Sequence, residues 1–153
     1  MPQVDDYRFP ADRQYDPETH LWVKRHDDNQ VRIGVDDFEQ EAAGTYQRVL
    51  LKEPGEEISA GDELVNLESA KFVGSKPAPI SGEVVAVNRD VVREPQQINL
   101  APYDHWLLAL APVDDADFDR LVGGDAIESW AREEIDEEQR RTTALEGERC
   151  PPE

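Results

Sequence analysis

Glu68-Ser69-Ala70-Lys71-Phe72-Val73, followed eight residues after the lysine by Pro79-Ile80-Ser81-Gly82-Glu83-Val84-Val85, is the stretch on which the reading of this chain turns. It places one lysine at the tip of a hairpin between two apolar, β-prone runs. A side chain at such a tip stands clear of the fold, open to a modifying enzyme and able to carry a long group into solvent. Working outward, candidate strands fall at Tyr46 to Leu51, Glu63 to Ser69, Gly82 to Val87 and Trp106 to Ala111. Short strands at this regular spacing predict a mainly β fold of sandwich or barrel type.

Upstream, Leu21 to Arg25 and Gln30 to Val35 flank the polar Asp27-Asp28-Asn29 and predict a hairpin. Asp36 to Gly44 reads as a short helix, with Asp36 as N-cap, Glu39 completing a capping-box-like pair and Gly44 as terminator. The runs Ile58-Ser59-Ala60-Gly61-Asp62-Glu63-Leu64-Val65 and Ile80-Ser81-Gly82-Glu83-Val84-Val85 echo one another: apolar, Ser, Gly, acid, apolar. Two such units suggest a sandwich with pseudo-twofold symmetry.

After Pro112 the pattern turns helical. A helix is expected from Asp114 to Val122, closed by Gly123-Gly124. A second, capped by Asp125 with Glu128, carries Ile127, Trp130, Ala131 and Ile135 as one apolar stripe for packing on the sandwich. Beyond Glu137 charge is dense and the stripe ends. The chain therefore divides into an N-terminal extension at 1–14, one domain at 15–136 that includes the C-terminal helices, and an acidic mobile tail or frayed helix at 137–153.

With 153 residues and 38% apolar content the chain supports one compact domain. Its 16 basic and 35 acidic residues give a formal charge of −19, which repels phosphates and anionic membranes, so nucleic acid and membrane partners are not expected. Four lysines stand against twelve arginines, and so many carboxylates with so few lysines suggest a protein adapted to high salt, the alternative being an acidic partner-selective surface at ordinary salt. Cys150 is the single cysteine, so no internal disulfide can form, which fits a reducing cytoplasm. No run reaches the length of a membrane span, and a monomeric cytoplasmic protein is expected.

These residues resemble one family, the lipoyl-carrying H-proteins of the glycine cleavage system and their relatives. There an acidic-Ser-small-Lys turn followed by Pro and a Ser-Gly-Glu turn presents the lysine for lipoylation. Tyr15 with His20-Leu21-Trp22-Val23 is similar to the family's Tyr and His-Glu-Trp opening, Val31 to Gly44 to its strand and helix, and Ile98-Asn99-Leu100-Ala101-Pro102-Tyr103 to its Asn-x-x-Pro-Tyr segment. The resemblance spans about Tyr15 to Ile135. It implies a barrel-sandwich hybrid of the lipoyl/biotinyl-carrier kind with short helices. It also implies covalent lipoic acid on Lys71, a recognition turn of Glu68, Ser69 and Ala70, and a carrier with no catalytic residues of its own. Biotin is the nearest alternative, but biotin carriers flank their lysine with methionines and here Ala70 and Phe72 do so.

Three departures bear on partners. Phe72-Val73-Gly74-Ser75-Lys76-Pro77 stands where the family usually has Ala or Ser, then Ala-Ser-Asp/Glu, an aliphatic and an aromatic, Asp104-His105-Trp106 replaces a Gly-containing turn, and Gln47 and Arg48 stand at usually apolar positions. The departures suggest a likeness in kind to the H-like lipoate-binding proteins of heterodisulfide-reductase-like sulfur oxidation, so the reading taken first is an arm that carries sulfur-containing intermediates. The alternative is the aminomethyl carrier of glycine cleavage; a relay that passes lipoyl groups to other enzymes is a third. Implied partners are lipoate ligase or lipoyl synthesis enzymes, dihydrolipoamide dehydrogenase, and either a heterodisulfide-reductase-like complex or the glycine cleavage enzymes.

Little else suggests chemistry. His20, His26 and His105 are scattered without ligand spacing, and Cys150 has no base beside it in sequence. The acid pairs Glu56-Glu57 and Glu133-Glu134 read as solvated surface.

Overall fold

The computed structural model describes residues 3–4, 6–26 and 29–149. In chain order its strands are β1 (Gln3–Val4), β2 (Tyr7–Arg8), β3 (Gln14–Tyr15), β4 (Leu21–His26), β5 (Gln30–Val35), β6 (Tyr46–Leu51), β7 (Glu57–Ile58), β8 (Glu63–Ser69), β9 (Val73–Pro77), β10 (Gly82–Val87) and β11 (Leu108–Pro112). The helices are α1 (Asp37–Ala43), α2 (Arg89–Arg93), α3 (Gln97–Leu100) and α4 (Ala126–Arg149), with a 3-10 helix at Asp115–Arg120. A six-stranded sheet in the order β3-β4-β5-β11-β10-β7 and a three-stranded sheet β6-β8-β9 are antiparallel throughout, and β1 pairs with β2.

Alternation along the strands sets the core. Val31, Ile33 and Val35 of β5, Leu21 and Val23 of β4, Val49 of β6 and Leu67 of β8 are all buried in one cluster, so the two sheets face each other across it. Each fully buried aliphatic of this size contributes roughly 1.5–3 kcal/mol. The echo units lie side by side: Gly82 of β10 pairs with Ile58 of β7, and Ala60 N–H donates to Ser81 Oγ at 2.8 Å.

A second cluster closes one flank. Ile127, Ala131 and Ile135 of α4 are buried against Phe9, Tyr15, Trp22 and Phe38, which bears out the stripe expected from sequence. Phe9 belongs to the segment 1–14, so that extension supplies core. The helix runs without a break across 136/137 to Arg149, and the expected tail is helical backbone that far; residues 150–153, Cys150 included, lie outside the described residues. No helix among them is long and apolar enough to cross a membrane.

The structure corrects several expectations. The 114–122 segment is a 3-10 helix of six residues, begun by Asp114 accepting from Ala116 N–H, because Val122 is drawn into an extended bridge with Tyr15. A single long helix follows it. The last strand begins at Leu108, since Trp106 turns aside to lie under Arg32, whose guanidinium carbon is 4.7 Å from the ring centroid. The return leg of the lysine hairpin is β9, a largely exposed strand; the apolar run expected there lies in the other sheet as β10. Asp36 does cap α1, accepting from Glu39 N–H at 2.8 Å, but the Glu39 carboxylate turns to Lys76 instead of closing a capping box.

Gly34 marks the closest approach in the sheet. A β-carbon there would sit 2.4 Å from Trp22 Cζ2, and that ring cannot retreat: its N–H donates to Pro102 O at 3.2 Å and Arg13 lies 4.6 Å over its face. Gly34→Ala is therefore expected to destabilise the fold by about 1–3 kcal/mol, the usual cost of overpacking. Urea unfolding that matches the wild type would contradict this fit.

Candidate functional site

The hairpin β8–β9 is registered as Leu67 opposite Gly74 and Glu68 opposite Val73, which leaves Ser69-Ala70-Lys71-Phe72 as its turn. Ser69 organises that turn. Its N–H donates to Phe72 O at 2.7 Å, and its hydroxyl accepts from Phe72 N–H at 3.1 Å and Lys71 N–H at 3.3 Å. The same hydroxyl donates to Ala43 O at 2.6 Å, tying the turn to the end of α1. A buried serine so engaged shapes the loop from within, where an enzyme cannot read it directly.

Lys71 stands exposed at the apex beside exposed Ala70. The distal end of its side chain rests over Gly44, where a β-carbon would come within 3.0 Å of Lys71 Cε. Gly44 also holds φ at +81°, so glycine is required there twice, for the backbone and for the lysine above it. Glu68 is half-buried, its carboxylate 3.5 Å from the exposed Arg48 guanidinium. The four residues read from the sequence thus do stand together, in different roles: Lys71 presented, Ala70 open, Glu68 paired and Ser69 buried.

Sequence reasoning missed the supports. Asn99 donates to Gly44 O at 2.8 Å and accepts from Tyr46 N–H at 2.9 Å, stitching the exit of α1 to the start of β6. Its signal was the polar residue between Ile98 and Leu100. His20 is the larger omission. It is buried with φ at +62°, stacked on Trp130 at 5.0 Å between centroids, its Nδ1 2.6 Å from Asp36 and its Nε2 2.8 Å from Glu134. Burial opposes its charge, but the Asp36 carboxylate and the hydrogen bonds to Asp36 and Glu134 outweigh that and raise its pKa to about 9. Asp36 caps α1, whose far end backs Lys71, so the histidine links α4 to the helix beneath the hairpin.

A groove of about 540 Å³ opens on the other side of Asn99, lined by Arg8, Arg13, Asp37, Leu100 and Tyr103 among others, and by none of residues 68–76. No cluster of three or more His, Cys, Asp or Glu side chains suited to a metal occurs among the described residues. The reactive feature is thus an exposed primary amine on a stiffened turn. An acyl group attached there starts beside Gly44 on a side chain open to solvent, so the site fits a covalently tethered cofactor.

A family model described as glycine cleavage H-protein matches residues 13–134. The chain is 42% identical over 111 residues to a probable glycine cleavage system H protein 3 of Saccharolobus solfataricus, covering 72% of this chain and 79% of that one. It is 39% identical over 114 residues to the glycine cleavage system H protein of Paraburkholderia phymatum, covering 74% and 90%. The crystal structure of a glycine cleavage system H protein from Mycobacterium marinum superposes with a TM-score of 0.70 at 32% identity, covering 82% of this chain and 98% of that one. With its two-sheet sandwich, its lysine turn and a match across most of the described residues, the chain belongs to the glycine cleavage H-protein family of lipoyl carriers.

Proposed function

We propose that this protein is the monomeric aminomethyl carrier of a glycine cleavage system, with lipoate joined by an amide to Lys71, and that it serves partner enzymes as a mobile substrate and not as a catalyst. The observation that carries the reading is the exposed Lys71 amine on a turn fixed by Ser69 and backed by Gly44. Acylation replaces an ammonium by a neutral amide at a position open to water, so the fold loses no ion pair. Lipoate bound there would supply a strained cyclic disulfide whose two-electron reduction leaves one sulfur holding a transferred group; once that group has left, dihydrolipoamide dehydrogenase would take two electrons from the dithiol and reform the ring. The chain's own part is to hold the base of the arm still and leave its far end free, which raises the local concentration of the carried group at each partner. Partners are then a lipoate ligase or lipoyl synthesis enzymes, dihydrolipoamide dehydrogenase and the glycine cleavage enzymes.

The matched family and its named relatives are glycine cleavage proteins, which moves the reading away from sulfur oxidation and a heterodisulfide-reductase-like complex. One observation favours that second reading: beside the arm, Phe72 packs on the core and Val73 is 70% exposed, placing bulk and an apolar group where the usual pattern has small residues. Glycine-dependent carbon dioxide release by a glycine decarboxylase separates the two. At equal lipoylation this protein is expected to support release within about threefold of an ordinary H-protein, because hot-spot contacts tolerate a changed rim. A rate below about a tenth, together with mass-detected loading of sulfane sulfur on the reduced arm, would return the vote to the sulfur route.

The −19 charge supports a further part of the proposal, adaptation to molar salt in a cytoplasmic setting. Exposed like charges repel over a Debye length that shrinks to about 3 Å in 1 M salt. The melting temperature is expected to rise by roughly 10 °C between dilute buffer and 2 M sodium chloride. A flat profile would leave halophilic adaptation without support.

A further inference from the structure

Two lysines share the lysine-bearing hairpin, and they are held in opposite ways. Lys76 on β9 donates from Nζ to Glu39 Oε2 of α1 at 2.8 Å, and the two side chains are only 11% and 15% exposed. The same ammonium lies 5.5 Å from the centroid of the Phe72 ring. That ring packs on the main core and lies across Gly74, where a β-carbon would come within 3.1 Å of it. Lys71, by contrast, is exposed, with no carboxylate within ion-pair distance among the described residues. Helix α1 therefore grips the hairpin at three points: Glu39 on Lys76, Ala43 O on Ser69, and Gly44 beneath Lys71.

We propose that the Glu39–Lys76 pair, roofed by Phe72, is a specificity device for modification of this hairpin, an inference that rests on Lys71 being the lipoylated residue. The pair takes the second amine out of reach. It also fixes the return strand, so that a modifying enzyme meets Lys71 in one presentation. Lys76 is then a positioning residue, and what the device uses is its charge, not its primary amine. Arginine supplies that charge to both the carboxylate and the ring face. Methionine keeps the length of the side chain but leaves the nearly buried Glu39 without its partner.

The test uses the full chain in unmodified form, treated separately with a lipoate ligase and with an amine-reactive N-hydroxysuccinimide acetate, followed by peptide mass mapping. In the wild type the ester is expected to acylate Lys71 at least about tenfold faster than Lys76, and Glu39→Ala to raise the Lys76 rate at least about fivefold with Lys71 unchanged. Lys76→Arg should keep kcat/KM for lipoylation of Lys71 within about twofold, whereas Lys76→Met should lower it at least about fivefold, both measured well below the melting point of each variant. Rescue by Arg but not by Met distinguishes positioning from a general loss of stability, which melting curves record independently. Equal acylation of Lys71 and Lys76 in the wild type, or wild-type lipoylation of Lys76→Met, overturns the proposal. Absence of lipoyl mass on Lys71 in the wild type, with the ester contrast intact, overturns the lipoyl reading instead and with it the role assigned to the clamp.

Discussion

Lys71→Arg is expected to abolish lipoylation altogether, with intact mass showing no lipoyl increment after ligase treatment that fully modifies the wild type. Arginine keeps the charge but has no primary amine to acylate. The other lysines are poor substitutes for separate reasons. Lys24 lies 3.2 Å from Asp12 within β4, Lys52 lies 3.9 Å from Glu63 beside a neighbouring strand, and Lys76 is clamped by Glu39. Lys24 is as exposed as many surface lysines, so exposure alone does not select the site; position at the apex of a braced turn does. Any lipoyl mass on the Arg variant would refute the assignment. Where modification proceeds, the wild type gains one negative unit of net charge, visible as a shift in isoelectric focusing.

His20 carries the second large effect. Its pKa of about 9 in the fold lies above the ordinary value of 6.5, so its contribution to stability is complete below pH 6.5 and is lost as the pH rises through 9. A displacement of this size corresponds to about 3 kcal/mol. Wild-type unfolding free energy, measured in urea at intervals from pH 6 to pH 9.5, should fall by that order. His20→Ala removes the cation between Asp36 and Glu134 and leaves the fully buried Asp36 carboxylate only its cap bond from Glu39 N–H, with an expected loss of about 3–5 kcal/mol at pH 6. The variant should also lose most of the fall between pH 6.5 and 9. A wild type whose stability is level across that window, or a variant that keeps the slope, would show that His20 is not charged in the fold.

The parts of the molecule legible in the sequence are those governed by near neighbours. Strands β5, β6, β8 and β10 begin and end where apolar, β-prone runs and turn residues place them, although a register shift between Tyr46 and Arg48 breaks the alternation of β6. The N-cap of α1 and the apex lysine are equally local. Helices α2 and α3, of five and four residues, are too short to show a period and were not foreseen. Trp106 looked like the start of a strand because aromatic residues favour strands, yet its ring lies against Arg32. The supports of the site were hidden by distance along the chain. Glu39 meets Lys76 across 37 residues and His20 meets Glu134 across 114, and no pattern in a single sequence announces either pair.

The position of β11 decides the order in which this chain can be completed during synthesis. The helix and strands that carry the lysine turn, from α1 to β9, have been made by residue 77, and their strand pairings are between near neighbours, although the brace from Asn99 comes later. The six-stranded sheet is different: β5 and β10 are not paired with each other, and β11 is the strand hydrogen-bonded to both. A nascent chain that has not yet released residues 108–112 therefore holds two unfilled sheet edges, the kind of surface that pairs with strangers. The modification hairpin can hold all of its own strand pairings while the sandwich around it is still open. Closing the six-stranded sheet waits on β11 to leave the ribosome, and a truncation upstream of Leu108 leaves a gap in the middle of that sheet and not at its margin.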